Sequence, residues 1–295
     1  MLPGMEETTA PGGHARTRVA RGDARIEVLV DAPAGGAAGA AAPATLVLLP
    51  SLGRGAEDFA PLLPGLLAGG LRVLRPQPRG IGGSTGPLDG LTLHDLAADV
   101  GAAVEALGAA PAFVGGHAFG NYVARTLAAD RPELVRGVVL LAASIGKPPP
   151  GEVLYGPEIQ EAILGSGDPS LPREARLAHL RRAFFAPGND PTGWLEGWHP
   201  EAKRAQSAAT RATPPDDFFL AGAAPVLDVQ AAQDTVAPRK FAGVLRAAMG
   251  DRVSTVVVEG AGHALLPERP EAVVRAILGW VAERRRAEKR AAAPG

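Results

Sequence analysis

Between Val114 and Asn121 the chain reads Val-Gly-Gly-His-Ala-Phe-Gly-Asn: the end of an apolar strand, a glycine-flanked turn and the start of a helix. This is the layout of a nucleophile elbow, a sharp turn of the form G-x-S-x-G that lifts a serine hydroxyl above the end of a sheet. Gly116 and Gly120 occupy both glycine positions, where a side chain would collide with the turn, but the central position holds Ala118. The elbow is there and its hydroxyl is not. No thiol can replace it, because the chain contains no cysteine; disulfides and thiolate metal sites are excluded with it.

An elbow needs a sheet beneath it. Short apolar runs at 45–49, 71–74, 112–114, 135–141, 226–229 and 253–258 predict strands, and a hairpin is expected over 19–30 around Arg21-Gly22-Asp23. Helical spacing follows 58–67, and Thr92 with Asp95 three residues on predicts a capped helix over 92–107, with Leu93, Leu96, Val100, Val104 and Leu107 on one face. Further helices are expected after Phe119, from Pro238 and from Pro270, the last burying Val273, Ile277, Trp280 and Val281. Continuous apolar strands alternating with helices mean a mainly parallel α/β sheet covered on both faces. Residues 146–221 break the rhythm with many prolines and short helical pieces, which predicts a helical cap inserted before the last two strands. The core is then 17–145 and 222–283, between a disordered tail at 1–16 and a charged tail at 284–295. The alanine- and glycine-rich stretch 33–44 reads as a loose connection.

Charge and composition narrow the partners. Thirty Lys and Arg against 31 Asp and Glu leave a formal charge of −1, with no basic face for nucleic acid. The hydrophobic share of 46% supports a core, and 38 glycines with 28 prolines stay below the level of a disordered chain. No signal peptide or membrane span stands out, so a cytoplasmic protein with a small-molecule substrate or ligand is expected; oligomeric state is not encoded legibly. No cofactor is expected: the P-loop-like spacing from Gly115 lacks its Lys and Ser/Thr at Asn121 and Tyr122, and the glycines from Gly80 end at Thr85 without opening a helix. No histidine pair has the i, i+4 spacing of a helical zinc site, so no metal is expected.

In order along the chain stand Leu48-Leu49-Pro50-Ser51-Leu52-Gly53-Arg54, Arg79-Gly80-Ile81-Gly82-Gly83-Ser84, the elbow, Gln233-Asp234-Thr235-Val236-Ala237-Pro238 and Gly260-Ala261-Gly262-His263. With this ordered set the chain resembles the α/β-hydrolase family over about residues 17–283. The resemblance implies an α/β-hydrolase sheet in which Asp234 orients His263 as general base. It also implies an oxyanion hole from the backbone N–H groups of Leu52 and Phe119. Asp228 is a rival acid, placed within a strand. The sequence departs from the family at Pro50-Ser51 (usually His-Gly), at Gln77 (often Asp), at Asn121 (usually small) and at Ala118. Ala118 reads either as natural divergence or as a Ser→Ala change.

Two functions remain open. One is hydrolysis of a small apolar ester, amide or C–C substrate, without efficient acyl-enzyme turnover; the other is a non-hydrolytic pocket that binds a ligand or catalyses by His263 alone. Ser51 and Ser144, each just after a strand, are surrogate nucleophile candidates. Asn121, Trp194 and Trp198 are candidates for the pocket wall.

Overall fold

The computed structural model describes residues 8–9, 15–33 and 43–292. The expected hairpin forms from β2 (Ala15–Arg21) and β3 (Ala24–Asp31), with the short β1 (Thr8–Thr9) paired to its outer edge. There follow β4 (Thr45–Leu49), α1 (Leu63–Ala68), β5 (Arg72–Pro76), α2 (Leu93–Ala106), β6 (Ala112–His117), α3 (Gly120–Asp130) and β7 (Val135–Leu141). A helical insert carries α4 (Pro157–Ser166), α5 (Arg173–Ala183), α6 (Pro200–Ala212) and α7 (Pro215–Phe218). The chain then adds β8 (Val226–Ala231), α8 (Val244–Met249), β9 (Val253–Val258), α9 (Leu265–Glu268) and α10 (Pro270–Ala292). The sheet order is β1-β2-β3-β5-β4-β6-β7-β8-β9, antiparallel up to β5 and parallel beyond it.

Every residue of β4 and β6 is buried, which is why both read as unbroken apolar runs. Their side chains still alternate. Val47, Leu49 and Val114 join the cluster under α2 and α3, whereas Leu46, Leu48 and Phe113 join the one under α1 and α10. The two layers follow from that alternation.

Local signals set the helix ends. Thr92 accepts from the Asp95 N–H while the Asp95 carboxylate takes the Thr92 N–H, a complete capping box, and Leu93, Leu96, Val100 and Val104 are buried as expected. The helix expected over 58–67 begins instead as a 3-10 turn, Ala56–Leu62, because Pro61 has no N–H to give an α-helical ladder; α1 follows it. The helix expected from Pro238 is likewise a 3-10 turn, Arg239–Phe241, before α8. At the ends, Ala15 and Arg16 already belong to β2, and α10 runs on to Ala292, past the expected boundary at 283. The remainder of the expected N-terminal tail, apart from Thr8–Thr9, and residues 34–42 of the loose connection lie outside the described residues.

The insert has its own apolar cluster. Leu177, Leu180, Phe184, Phe185, Trp194 and Leu195 pack together and against Val236 and Ala264 of the core loops. Among the described residues no helix is long and apolar enough to cross a membrane.

Two contributions to stability can be ranked. Trp280 is buried edge-on to Phe113, with ring centroids 5.6 Å apart. Trp280→Ala should cost about 3–5 kcal/mol, and Thr92→Ala, which removes the cap, about 1 kcal/mol, both read from urea unfolding midpoints.

Candidate active site

The elbow is built by close backbone approach. A Cβ on Gly116 would lie 2.1 Å from the Gly120 carbonyl carbon, and one on Gly120 would lie 2.2 Å from the Leu49 carbonyl oxygen. Between them Ala118 is held at φ 47°, a left-handed conformation that costs an L-residue roughly 1–2 kcal/mol. Its N–H donates to the Leu141 carbonyl at 3.0 Å, and its own carbonyl accepts from the Asn121 N–H at 3.1 Å. The conformation that would present a serine survives with a methyl group in its place.

Asp234 and His263, 29 residues apart in sequence, meet behind the elbow. His263 Nδ1 lies 2.9 Å from Asp234 Oδ2 and 3.1 Å from Oδ1, and both side chains are buried. Asp234 Oδ1 also accepts the N–H groups of Val236 and Ala237, each at 2.8 Å. A carboxylate facing Nδ1 selects the tautomer that donates from that nitrogen, leaving the Nε2 lone pair available as a base. Asp228 has no contact with His263. It accepts from Gln230 Nε2 at 2.6 Å, and burial pushes its carboxyl up to about 6.

The histidine loop is fixed from both sides. Glu268 accepts the Gly262 N–H at 2.7 Å through one oxygen; through the other it accepts the Ala186 N–H at 2.7 Å and Asn189 Nδ2 at 2.5 Å. The Ala264 N–H donates to the Phe184 carbonyl at 2.7 Å. Beneath, His117 is fully buried and its Nε2–H donates to the His263 carbonyl at 2.8 Å. Burial, reinforced by His263 and Arg54, drives the His117 pKa down to about 3, so it stays neutral.

The loop after β4 is positioned by the insert. The Gly53 N–H donates to Gln206 Oε1 of α6 at 2.7 Å, and the Gly53 carbonyl accepts the His199 N–H at 2.9 Å. Gln77, where the family often has aspartate, receives the Ala56 N–H at 2.9 Å and donates to Glu57. Arg54 forms a bidentate pair with Asp58 at 2.8 and 2.6 Å, donates to the Glu196 carbonyl, and lies 4.7 Å from the centroids of both Trp194 and Trp198. Neither Leu52 nor Phe119 uses its backbone N–H in a hydrogen bond among the described residues. Two unspent donors therefore flank the elbow.

A cavity of about 320 Å³ brings Ser51, Leu52, Ala118, Phe119, Ser144 and His263 together beneath Tyr155, Phe184, Trp198 and Lys203 of the insert. Two expected wall residues do not line it. Asn121 is fully buried and turns back to donate from Nδ2 to the Ala118 carbonyl, bracing the turn from behind. Trp194 is packed among Phe184, Phe185, His117 and Trp198, with its carbonyl accepting from Trp198 Nε1. Its neighbour Trp198, four residues on, takes the wall position. Nothing local in sequence announces the bracing roles of Gln206, Arg54 and Glu268, whose partners lie up to 153 residues away. Arg125 carries no such signal either: buried in α3, it donates to the carbonyls of Ser144, Ile145 and Phe219, and burial pulls its pKa down to about 10. Among the described residues no group of three or more His, Cys, Asp or Glu side chains could hold a metal ion.

Comparison with known proteins adds independent findings. A family model described as "Alpha/beta hydrolase family" matches residues 46–276. A protein of Mycobacterium tuberculosis H37Rv, provisionally named non-heme bromoperoxidase BpoC, is 30% identical over 231 residues, covering 75% of this chain and 86% of that one. Its crystal structure superposes with a TM-score of 0.70 at 25% identity, covering 87% of this chain and 96% of that chain. The enol-lactonase of Burkholderia xenovorans LB400 superposes with a TM-score of 0.72 at 20% identity, covering 90% and 99%, a likeness of fold.

The neutral, buried His117 has a pH signature. Its folded pKa lies below the unfolded value near 6.5, so the unfolded chain binds the proton first as pH falls. Stability is therefore lost from about pH 6.5 down toward 3. His117→Gln, which keeps a donor but cannot titrate, should flatten the fall by up to ~1.4 kcal/mol per pH unit; urea midpoints between pH 7 and 4 test it.

Proposed function

The chain belongs to the alpha/beta hydrolase family, and from that premise we propose that it hydrolyses a small ester, amide or C–C substrate held beneath the insert, which acts as a cap. The observation that carries this reading is that His263, paired with Asp234, lines the same cavity as the strained Ala118 turn. The substrate carbonyl oxygen points between the Leu52 and Phe119 N–H groups, which stabilise the charge that develops there. Water occupies the space above the Ala118 methyl. His263 Nε2 takes a proton from that water as its oxygen attacks the carbonyl carbon. Asp234 stabilises the imidazolium that forms. When the tetrahedral intermediate collapses, the same proton passes from Nε2 to the leaving oxygen, nitrogen or carbon, and the acid departs with the alcohol, the amine or the protonated carbon fragment.

Without a serine at 118 no acyl-enzyme forms at the elbow. In serine proteases that lack a triad member, the remaining site still gives ~10³–10⁴-fold over water. The alanine itself favours a second reading, in which the cavity binds a small molecule and His263 acts as a base or not at all.

Short-chain aryl esters separate the two. Ala118→Ser should raise kcat/KM by at least ~10³-fold, and His263→Ala should remove activity from both forms. If the serine form is inert while a ligand still binds, the pocket reading stands and hydrolysis does not.

A further inference from the structure

The roof of the cavity carries unmatched positive charge. On α6, Lys203, Ser207 and Arg211 recur every four residues and so share one face, which turns toward the chamber over His263. The same three residues, with Trp198, also line an adjoining cavity of about 580 Å³, so they stand where the two chambers meet. Neither cation forms an ion pair among the described residues; Asp168, on the wall of the adjoining cavity, acts on Lys203 only through space. Lys203 Nζ reaches only the Ile163 carbonyl at 3.2 Å and the face of Trp198 at 5.6 Å, and burial pulls its pKa down against the field of Asp168. Arg211 is exposed, at the mouth of the chamber, and makes no hydrogen bond, ion pair or ring contact among the described residues. Nearby arginines are matched: Arg54 pairs with Asp58, and Arg204 with Glu201 at 3.8 Å. No Asp or Glu lines the chamber over His263.

Lys203, half-buried and without an ion pair, loses hydration that no carboxylate on this chamber restores, and together with the exposed Arg211 on the same helix face its field concentrates anions there. We propose that Lys203 and Arg211 form an anion subsite, and that the substrate is an acyl compound bearing a carboxylate or phosphate at the end remote from its scissile bond. This rests on the hydrolase reading above for the word substrate, but the subsite binds an anion whether or not chemistry follows. It also sharpens the expectation of a merely apolar substrate. The acyl part lies on Phe119, Phe184 and Val236, while the anionic end reaches Lys203 and Arg211 where the two chambers meet, short of Asp168.

Ala118 makes the test direct, since a bound ester persists long enough for calorimetry. Monoethyl glutarate and 2-acetoxyethyl phosphate are compared with neutral diethyl glutarate, on the unaltered chain and on Lys203→Met and Arg211→Gln. At least one anion should bind at least ~10-fold tighter than the diester, as a charge-assisted contact requires. The tighter of the two names the group. The preference should shrink in each variant and with added salt. Equal affinities, or a preference unchanged in both variants, overturn the subsite. Turnover of the same esters by Ala118→Ser keeps the two readings apart. Equal hydrolysis of neutral and anionic esters sinks the subsite alone; no hydrolysis with the binding preference intact sinks the hydrolase reading alone.

Discussion

The whole arrangement depends on how closely two pieces of backbone approach at the elbow. The end of β6 and the start of α3 pass each other, and the Leu49 carbonyl, at distances that leave no room for a Cβ at either Gly116 or Gly120. That contact fixes where α3 begins, forces residue 118 into the left-handed region, and leaves the Phe119 N–H at the carboxyl end of the parallel strands. Ligands bind at that end in α/β sheets generally. Asp234 and His263 follow from β8 and β9, and parallel pairing of β8 with β7 and of β9 with β8 carries their loops to the same rim. The geometry therefore belongs to the backbone, and it is complete with alanine at 118.

The second constraint is the insert's grip on the loop after β4. Gln206 and the His199 N–H hold both polar groups of Gly53, so the conformation of the loop bearing the Leu52 N–H is set by α6 rather than by its own strand. Roof and floor of the cavity are thereby one unit. The same helix carries Lys203 and Arg211 on its cavity face, which ties the charge of the roof to the position of the loop below.

Much of this was legible in sequence because it is local. The unbroken apolar runs of β4 and β6, the Thr92–Asp95 box, the glycines of the elbow and the chain order of acid and base each need only a few residues to be seen. What was not legible is long-range. Asn121 looked like a wall residue, yet the helix start it occupies points it back at the Ala118 carbonyl. Trp194 and Trp198 look equivalent at four residues' spacing, and only the packing of Phe184, Phe185 and Arg54 decides which is core and which is wall. Pro61 shortened a helix that hydrophobic spacing alone extends, a case of backbone chemistry overriding periodicity. The partners of Gln206, Glu268 and Arg125 carry no sequence signature at all.

Glu268 has a mechanical consequence. Its carboxylate takes Gly262 on the core side and Ala186 and Asn189 on the insert side, so it rivets the seam between them immediately beside the base. A seam riveted there cannot slide without displacing the imidazole. Any opening that admits a ligand and leaves the base in register must then pivot about this point, with the widest excursion at the far margin of the insert. Alignment of the base is thus tied to one edge of the insert, and freedom to move is left to the opposite edge.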